Sequence, residues 1–107
     1  MDAALRALVE PRRREILRVV GTAELSAGEI ADHFDVTRPA ISQHLAVLRE
    51  AGLVAERRSG TRRLYRVRPE GFEDLRGYLE EFWADSLLRL KAEAEREERE
   101  ETRGSQS

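Results

Sequence analysis

Thr37-Arg-Pro-Ala-Ile-Ser-Gln-His-Leu-Ala-Val-Leu-Arg-Glu50 is the stretch that decides how this chain folds. Thr37 is a good N-cap, because its hydroxyl can accept from a backbone N–H that the first helical turn leaves free. Pro39 stands in that first turn, where a missing N–H costs nothing. Gly52 lies just past Ala51 and marks the stop. At 100° per residue from Arg38, Ile41, Leu45 and Leu48 fall between about 280° and 340°, one narrow apolar stripe for a core. Pro39, Ser42, Gln43 and Ala46 fall between about 40° and 140°, with no long charged side chain among them. Small side chains let a helix approach base edges, and Gln43 carries the paired donor and acceptor that match adenine in the major groove. Thr37 and Arg38 stand where free N–H groups and the helix dipole favour phosphate. With His44 these residues form the candidate reading face.

Upstream, Ser26-Ala-Gly-Glu29 is a capping box that starts a helix with Ile30, Ala31 and Phe34 as its apolar positions. A tight turn at Phe34–Thr37 joins it to the first stretch, and the pair reads as a helix-turn-helix. Earlier still, Asp2 is a plausible cap for a short helix with Leu5, Leu8 and Val9 on one face. Pro11 opens the next helix, whose buried side is Ile16, Leu17, Val19 and Val20, and Gly21 ends it.

Downstream, Arg57-Arg-Ser-Gly-Thr-Arg-Arg63 is a glycine-containing turn between two short segments rich in Val, Leu and Tyr, a β-hairpin pattern. Arg57, Arg58, Arg62 and Arg63 have no acidic partner within this loop and repel one another, which suits them to phosphates or the minor groove. Pro69 then starts a long helix. Measured from Phe72, its residues Leu75, Tyr78, Leu79, Phe82, Trp83, Leu87 and Leu90 span from about 240° through 0° to about 60°. Half a helix circumference is more than one small domain needs, so part of it is expected to pack against a second chain, with Leu5, Leu8 and Val9 as its complement. The expected dimer residues on the last helix are Leu75, Tyr78, Leu79, Phe82 and Trp83. The aromatic members could also line an apolar pocket, although aromatics at helical spacing are more often packing.

These elements predict a mainly α fold with a small β-hairpin: a winged helix-turn-helix of four helices, two strands and a last helix. Residues 1–92 form the expected DNA-binding and dimerisation domain, and the charged tail 93–107 is expected to fray or be disordered. The chain's 107 residues suffice for one domain. A net charge of −2 would not suit a DNA binder if it were spread evenly. Residues 1–68 carry 13 arginines against 9 acidic residues, a net of +4, while residues 69–107 carry 6 basic against 12 acidic, a net of −6. Affinity for nucleic acid follows local positive density, so the balance is no objection. With no cysteine there is no disulfide, thiolate metal site or Cys nucleophile. No cofactor is expected. No apolar run suits a bilayer and no secretory signal is visible, so the expected location is the cytoplasm.

Ser26-Ala-Gly-Glu-Ile-Ala31, Thr37 through Val54, and Arg57-Arg-Ser-Gly-Thr-Arg-Arg-Leu-Tyr-Arg66 together resemble the ArsR/SmtB family of bacterial winged-helix repressors. Pro11-Arg-Arg-Arg-Glu-Ile-Leu17 is similar to the start of that family's second helix, and the likeness covers roughly residues 3–85. It implies a homodimer paired through its first and last helices, two recognition helices in successive major grooves, and repression of nearby genes, often including the regulator's own. Metal-sensing members place cysteines in the third helix or Asp/His/Glu sets in the last. Here the third helix reads Glu29-Ile-Ala-Asp-His-Phe34 and the last has no His, so the resemblance implies a member without the metal switch and names no effector. Asp32 with His33 could hold a metal weakly, but two ligands are too few for a stable site and the pair reads rather as surface or capping residues.

Two other functions fit this sequence less well. A winged-helix module that docks proteins through its acidic last helix would not need the arginine hairpin. An enzyme would need a nucleophile, phosphate loop or ligand spacing that is missing here.

Overall fold

The computed structural model describes residues 2–106, with side-chain surroundings described for 2–102. The elements are α1 (Asp2–Val9), α2 (Pro11–Val20), α3 (Ala27–Ala31), α4 (Arg38–Glu50), β1 (Val54–Ser59), β2 (Arg62–Val67) and α5 (Pro69–Gln106). This is the predicted winged helix-turn-helix order. The chain divides between Leu75 and Arg76 into two compact units.

The first unit is built on α4. Ile41, Leu45 and Leu48 are all fully buried, together with Ile16 of α2, Ile30 of α3, and Leu53 and Val54 where β1 begins. Burying each such side chain is worth roughly 1.5–3 kcal/mol. The apolar stripe expected of residues 37–50 therefore does hold α4 in the centre of the unit. α1 closes the core with Ala4 and Ala7 rather than with its larger residues, and Asp2 lies in its first turn rather than before it. Leu8 packs partly against the core, Leu5 is half-buried and Val9 stays 75% exposed.

α3 is shorter than its apolar spacing suggests. It ends at Ala31, and the chain continues through tightened turns in which the N–H of His33 donates to Ile30 O at 3.0 Å and that of Phe34 to Ala31 O at 3.1 Å. Phe34 still packs on the core, with the Arg12 guanidinium 5.0 Å above its ring.

α4 stops in a Schellman motif: Leu53 N–H donates to Leu48 O at 3.0 Å and Gly52 N–H to Arg49 O at 3.0 Å. Gly52 supplies the left-handed φ of 77° that this motif needs. Gly71, in the first turn of α5, lies so close that a Cβ there would stand 1.9 Å from Gly52 O. Two glycines thus let the start of α5 seat on the end of α4.

β1 and β2 pair antiparallel from Val54↔Val67 to Ser59↔Arg62, and the connecting turn uses Gly60 at φ 65°. A bridge not foreseen from the sequence attaches this hairpin to the segment between α2 and α3. Leu25 N–H donates to Tyr65 O at 3.1 Å, and Tyr65 N–H to Leu25 O at 2.7 Å.

α5 corrects two expectations. Leu75, assigned to a dimer surface, is only 5% exposed within its own chain and belongs to the protomer's interior. The helix also continues through the segment expected to fray from Glu93, as far as Gln106. Ala, Glu and Arg are strong helix formers, and Arg96 pairs with Glu93 at 4.0 Å while Arg99 Nε donates to Glu95 O at 3.3 Å. In the second unit Tyr78, Leu79, Phe82, Trp83, Leu87, Leu88 and Leu90 are exposed, with the Tyr78 and Phe82 rings stacked 6.4 Å apart. Among the described residues no helix is long and apolar enough to cross a membrane.

Candidate nucleic-acid interface

Burial of Ile41, Leu45 and Leu48 turns the opposite side of α4 outward. Thr37, Arg38, Pro39, Ser42 and Gln43 are all exposed, as the angular pattern requires. Thr37 caps the helix by accepting from Ala40 N–H at 3.3 Å, which leaves its hydroxyl proton free to donate. The Arg38 guanidinium lies against Gly28 of α3, so it projects over the helix-turn-helix elbow.

His44 departs from this face. It is half-buried towards α2, where Arg13 Nε donates to its Nδ1 at 3.3 Å. Burial first, then the Arg13 charge, holds its pKa below the ordinary value of 6.5. The ring accepts from an arginine of α2 and so ties α4 to that helix.

The wing stands beside α4. Strand alternation puts Arg57 and Arg62 on one face of the hairpin, while Arg58 lies directly opposite Arg63 on the other. A cleft of about 370 Å³ separates wing and helix, lined by Ser26, Ala27, Arg38, Ser42, Thr61, Arg62, Arg63 and Tyr65. Two sites read separately in the sequence, the head of α4 and the arginine hairpin, thus meet around one groove. Ser26, Thr61 and Tyr65 were missed as members of it. Thr61 sat inside the quoted turn and was legible there; the other two are brought in by the Leu25–Tyr65 bridge.

The electrostatics of the wing differ from the sequence expectation. No acid lies within the loop, but carboxylates from outside it reach the arginines. Arg57 pairs with Glu24 at 2.5 Å, Arg62 with Glu29, and Arg63 with Glu56 at 3.7 Å. Glu56 also holds Arg49 of α4 at 2.6 Å. Glu29 serves the α3 capping box as well, its Oε1 accepting from Ser26 N–H at 3.1 Å. Hydrogen bonds from the Ser26 backbone and hydroxyl, then Arg62, keep its carboxyl below the usual pKa. Burial first and the neighbouring Glu56 carboxylate next raise the Tyr65 hydroxyl. Among the described residues, the Arg58 guanidinium alone of the four has no ion pair.

Among the described residues, no three His, Cys, Asp or Glu side chains gather as an ion would need. His33 Nδ1 bonds to Glu29 O at 2.9 Å, and Asp32 closes α3 through its backbone N–H.

A central helix with a bare polar face, crossed by a preceding short helix and flanked by a cationic hairpin, defines a winged helix-turn-helix DNA-binding regulator. Comparison with known proteins agrees. The profile of the bacterial regulatory protein arsR family matches residues 10–56. An HTH-type transcriptional regulator of Mycobacterium tuberculosis, Rv2034, is 44% identical over 86 residues, covering 80% of each chain. A crystal structure of a possible transcriptional regulator for arsenical resistance superposes with a TM-score of 0.72 at 42% identity, covering 87% of this chain and 96% of the other. The homodimeric winged helix-turn-helix DNA-binding domain of a possible ArsR-family regulator from Mycobacterium bovis gives a TM-score of 0.64 at 32% identity, covering 78% of this chain and 77% of that one. The chain belongs to the ArsR family. It is a transcriptional regulator and not an enzyme.

Proposed function

We propose that this chain acts in the cytoplasm as a homodimeric repressor in which Ser42 and Gln43 read base edges in the major groove. In this reading Thr37, Arg38 and the wing residues Arg57, Arg58, Arg62 and Arg63 hold the phosphate backbone. The observation that carries it is the groove between α4 and the wing, where Arg38, Ser42, Thr61, Arg62 and Arg63 face one space. Cations at its rim and a small polar helix face within it are what a duplex requires of a reader.

Exposed apolar surface supports pairing of two chains. Val9 on α1, and Phe82 and Trp83 on α5 at 55% and 62%, are large apolar side chains left exposed within their own chain. A two-fold dimer presents two α4 helices to successive major grooves, and a clamp of that size excludes polymerase from the bound duplex. The homodimeric relative from M. bovis is consistent with this arrangement.

Gel-shift titration on the region upstream of the chain's own gene tests the proposal. A shift that depends on sequence and weakens steeply as salt rises is expected, because each phosphate contact releases condensed cations. Equal affinity for scrambled duplex, or no shift at low salt, would overturn it.

A further inference from the structure

The wing arginines are already occupied. Arg57, Arg62 and Arg63 lie on Glu24, Glu29 and Glu56, which come from the loop before α3, from α3 itself and from β1. These carboxylates stand where they offset the cations that the proposed function places on phosphate. All six side chains are partly exposed, between 20% and 59%, so none of the pairs is locked inside the protein. Exposed pairs of this kind are weak enough to be exchanged.

We propose that Glu24, Glu29 and Glu56 act as internal stand-ins for DNA phosphate, so that Arg57, Arg62 and Arg63 bind a duplex by exchanging one anion for another. The inference rests on the wing's reading as a phosphate-binding element. Each carboxylate lowers the gain from a phosphate contact by the strength of the pair it must give up. The penalty falls on every duplex alike, because phosphates carry no sequence information. Non-specific binding depends almost wholly on such contacts, so the penalty is a larger share of its total. Operator binding keeps the base contacts of α4 in addition, so the share is smaller there.

The exchange also shapes the salt response. A cation released from DNA as Arg62 docks is partly taken up again by the freed Glu29 carboxylate. The slope of log affinity against log salt is then shallower than the number of phosphate contacts alone would give. Arg58, unpaired, gives up nothing and contributes its full contact.

Glu24→Gln, Glu29→Gln and Glu56→Gln, singly and together, test this, with Glu73→Gln as a remote control for net charge. Gln at position 29 keeps the capping box, so α3 is retained, and circular dichroism checks each fold. Affinity for a random-sequence duplex is read by fluorescence anisotropy across a salt series. Each substitution should tighten random-duplex binding by about 1.4- to 5-fold, the equivalent of the ~0.2–1 kcal/mol carried by an exposed pair. The triple variant should show a steeper salt slope, with operator affinity raised by a similar factor as random-duplex affinity. Gains no larger than that of Glu73→Gln, at an unchanged slope, would overturn the inference. Arg57→Ala, Arg62→Ala and Arg63→Ala separate the two levels. If these weaken binding while the Gln variants match the control, only the exchange is wrong. If they leave binding unchanged, the wing does not hold phosphate and both readings fail.

Discussion

Gln43 and His44 are neighbours on α4 with opposite surroundings, one exposed and the other hydrogen-bonded to Arg13. Gln43→Ala should lower discrimination between operator and single-base variants, at a cost of about 1–3 kcal/mol at the adenine position it reads. Arg38→Ala should weaken all duplexes together, and competition binding across a set of point-substituted operators distinguishes the two profiles. His44 makes a different prediction. Its folded pKa lies below the ordinary 6.5, so the unfolded chain takes up a proton before the fold does. The stability this neutral ring contributes is complete above that value and is lost as pH falls below it. Protonation also removes the acceptor that Arg13 uses, while Glu10 nearby opposes part of the effect. Melting temperature should therefore drop between about pH 7 and pH 5 in the wild type, and drop less in His44→Gln, which keeps an acceptor. An equal drop in both would show that the titration lies elsewhere.

At the scale of elements, α4 and the hairpin were legible because their signals are local. A capping threonine, a proline in the first turn, apolar residues three and four apart and a glycine stop all lie within residues 37–52. What remained hidden depends on distant partners. Arg57 with Glu24 and Arg62 with Glu29 are each 33 residues apart, a separation no periodicity reveals. The same applies to Leu75: its angle on the helix matches the exposed stripe, and only its position near the start of α5 draws it inside. His44 looked like part of the reading face because Gln43 precedes it, until Arg13 arrives from α2. The junction of α4 and α5 offers a test of close packing. Gly71→Ala would place a methyl against Gly52 O, so the backbones must separate. A cost of about 1–3 kcal/mol is expected from such overpacking, read as a lower denaturation midpoint. Gly77→Ala, with open space around it, should not destabilise at all.

For the whole molecule, the charge of −2 conceals two opposed parts, a net of +4 over residues 1–68 and of −6 over residues 69–107. Keeping net negative charge on α5 discourages the duplex from binding there and leaves the groove as the attractive surface. The apolar side chains on that helix carry the association prediction. Trp83→Glu combined with Phe82→Glu should convert the protein to monomers by sedimentation, with helix content unchanged. Loss of the second half-site should weaken operator binding by about a hundredfold or more, since the linked contact disappears. Dimers that persist at full affinity would place the interface elsewhere.

The paired hydrogen bonds between Leu25 and Tyr65 have a consequence in time as well as in space. A two-stranded hairpin alone opens readily, and its amides would exchange with solvent at close to free-peptide rates. Tied at its base to the segment ahead of α3, this wing cannot open without loosening the helix-turn-helix as well. Deuterium should therefore enter the Leu25 and Tyr65 amides slowly and in step with those of α4, while Gly60 at the tip exchanges within the dead time. The wing then keeps a fixed offset from the recognition helix between encounters with DNA, so each collision presents the same ruler to the duplex.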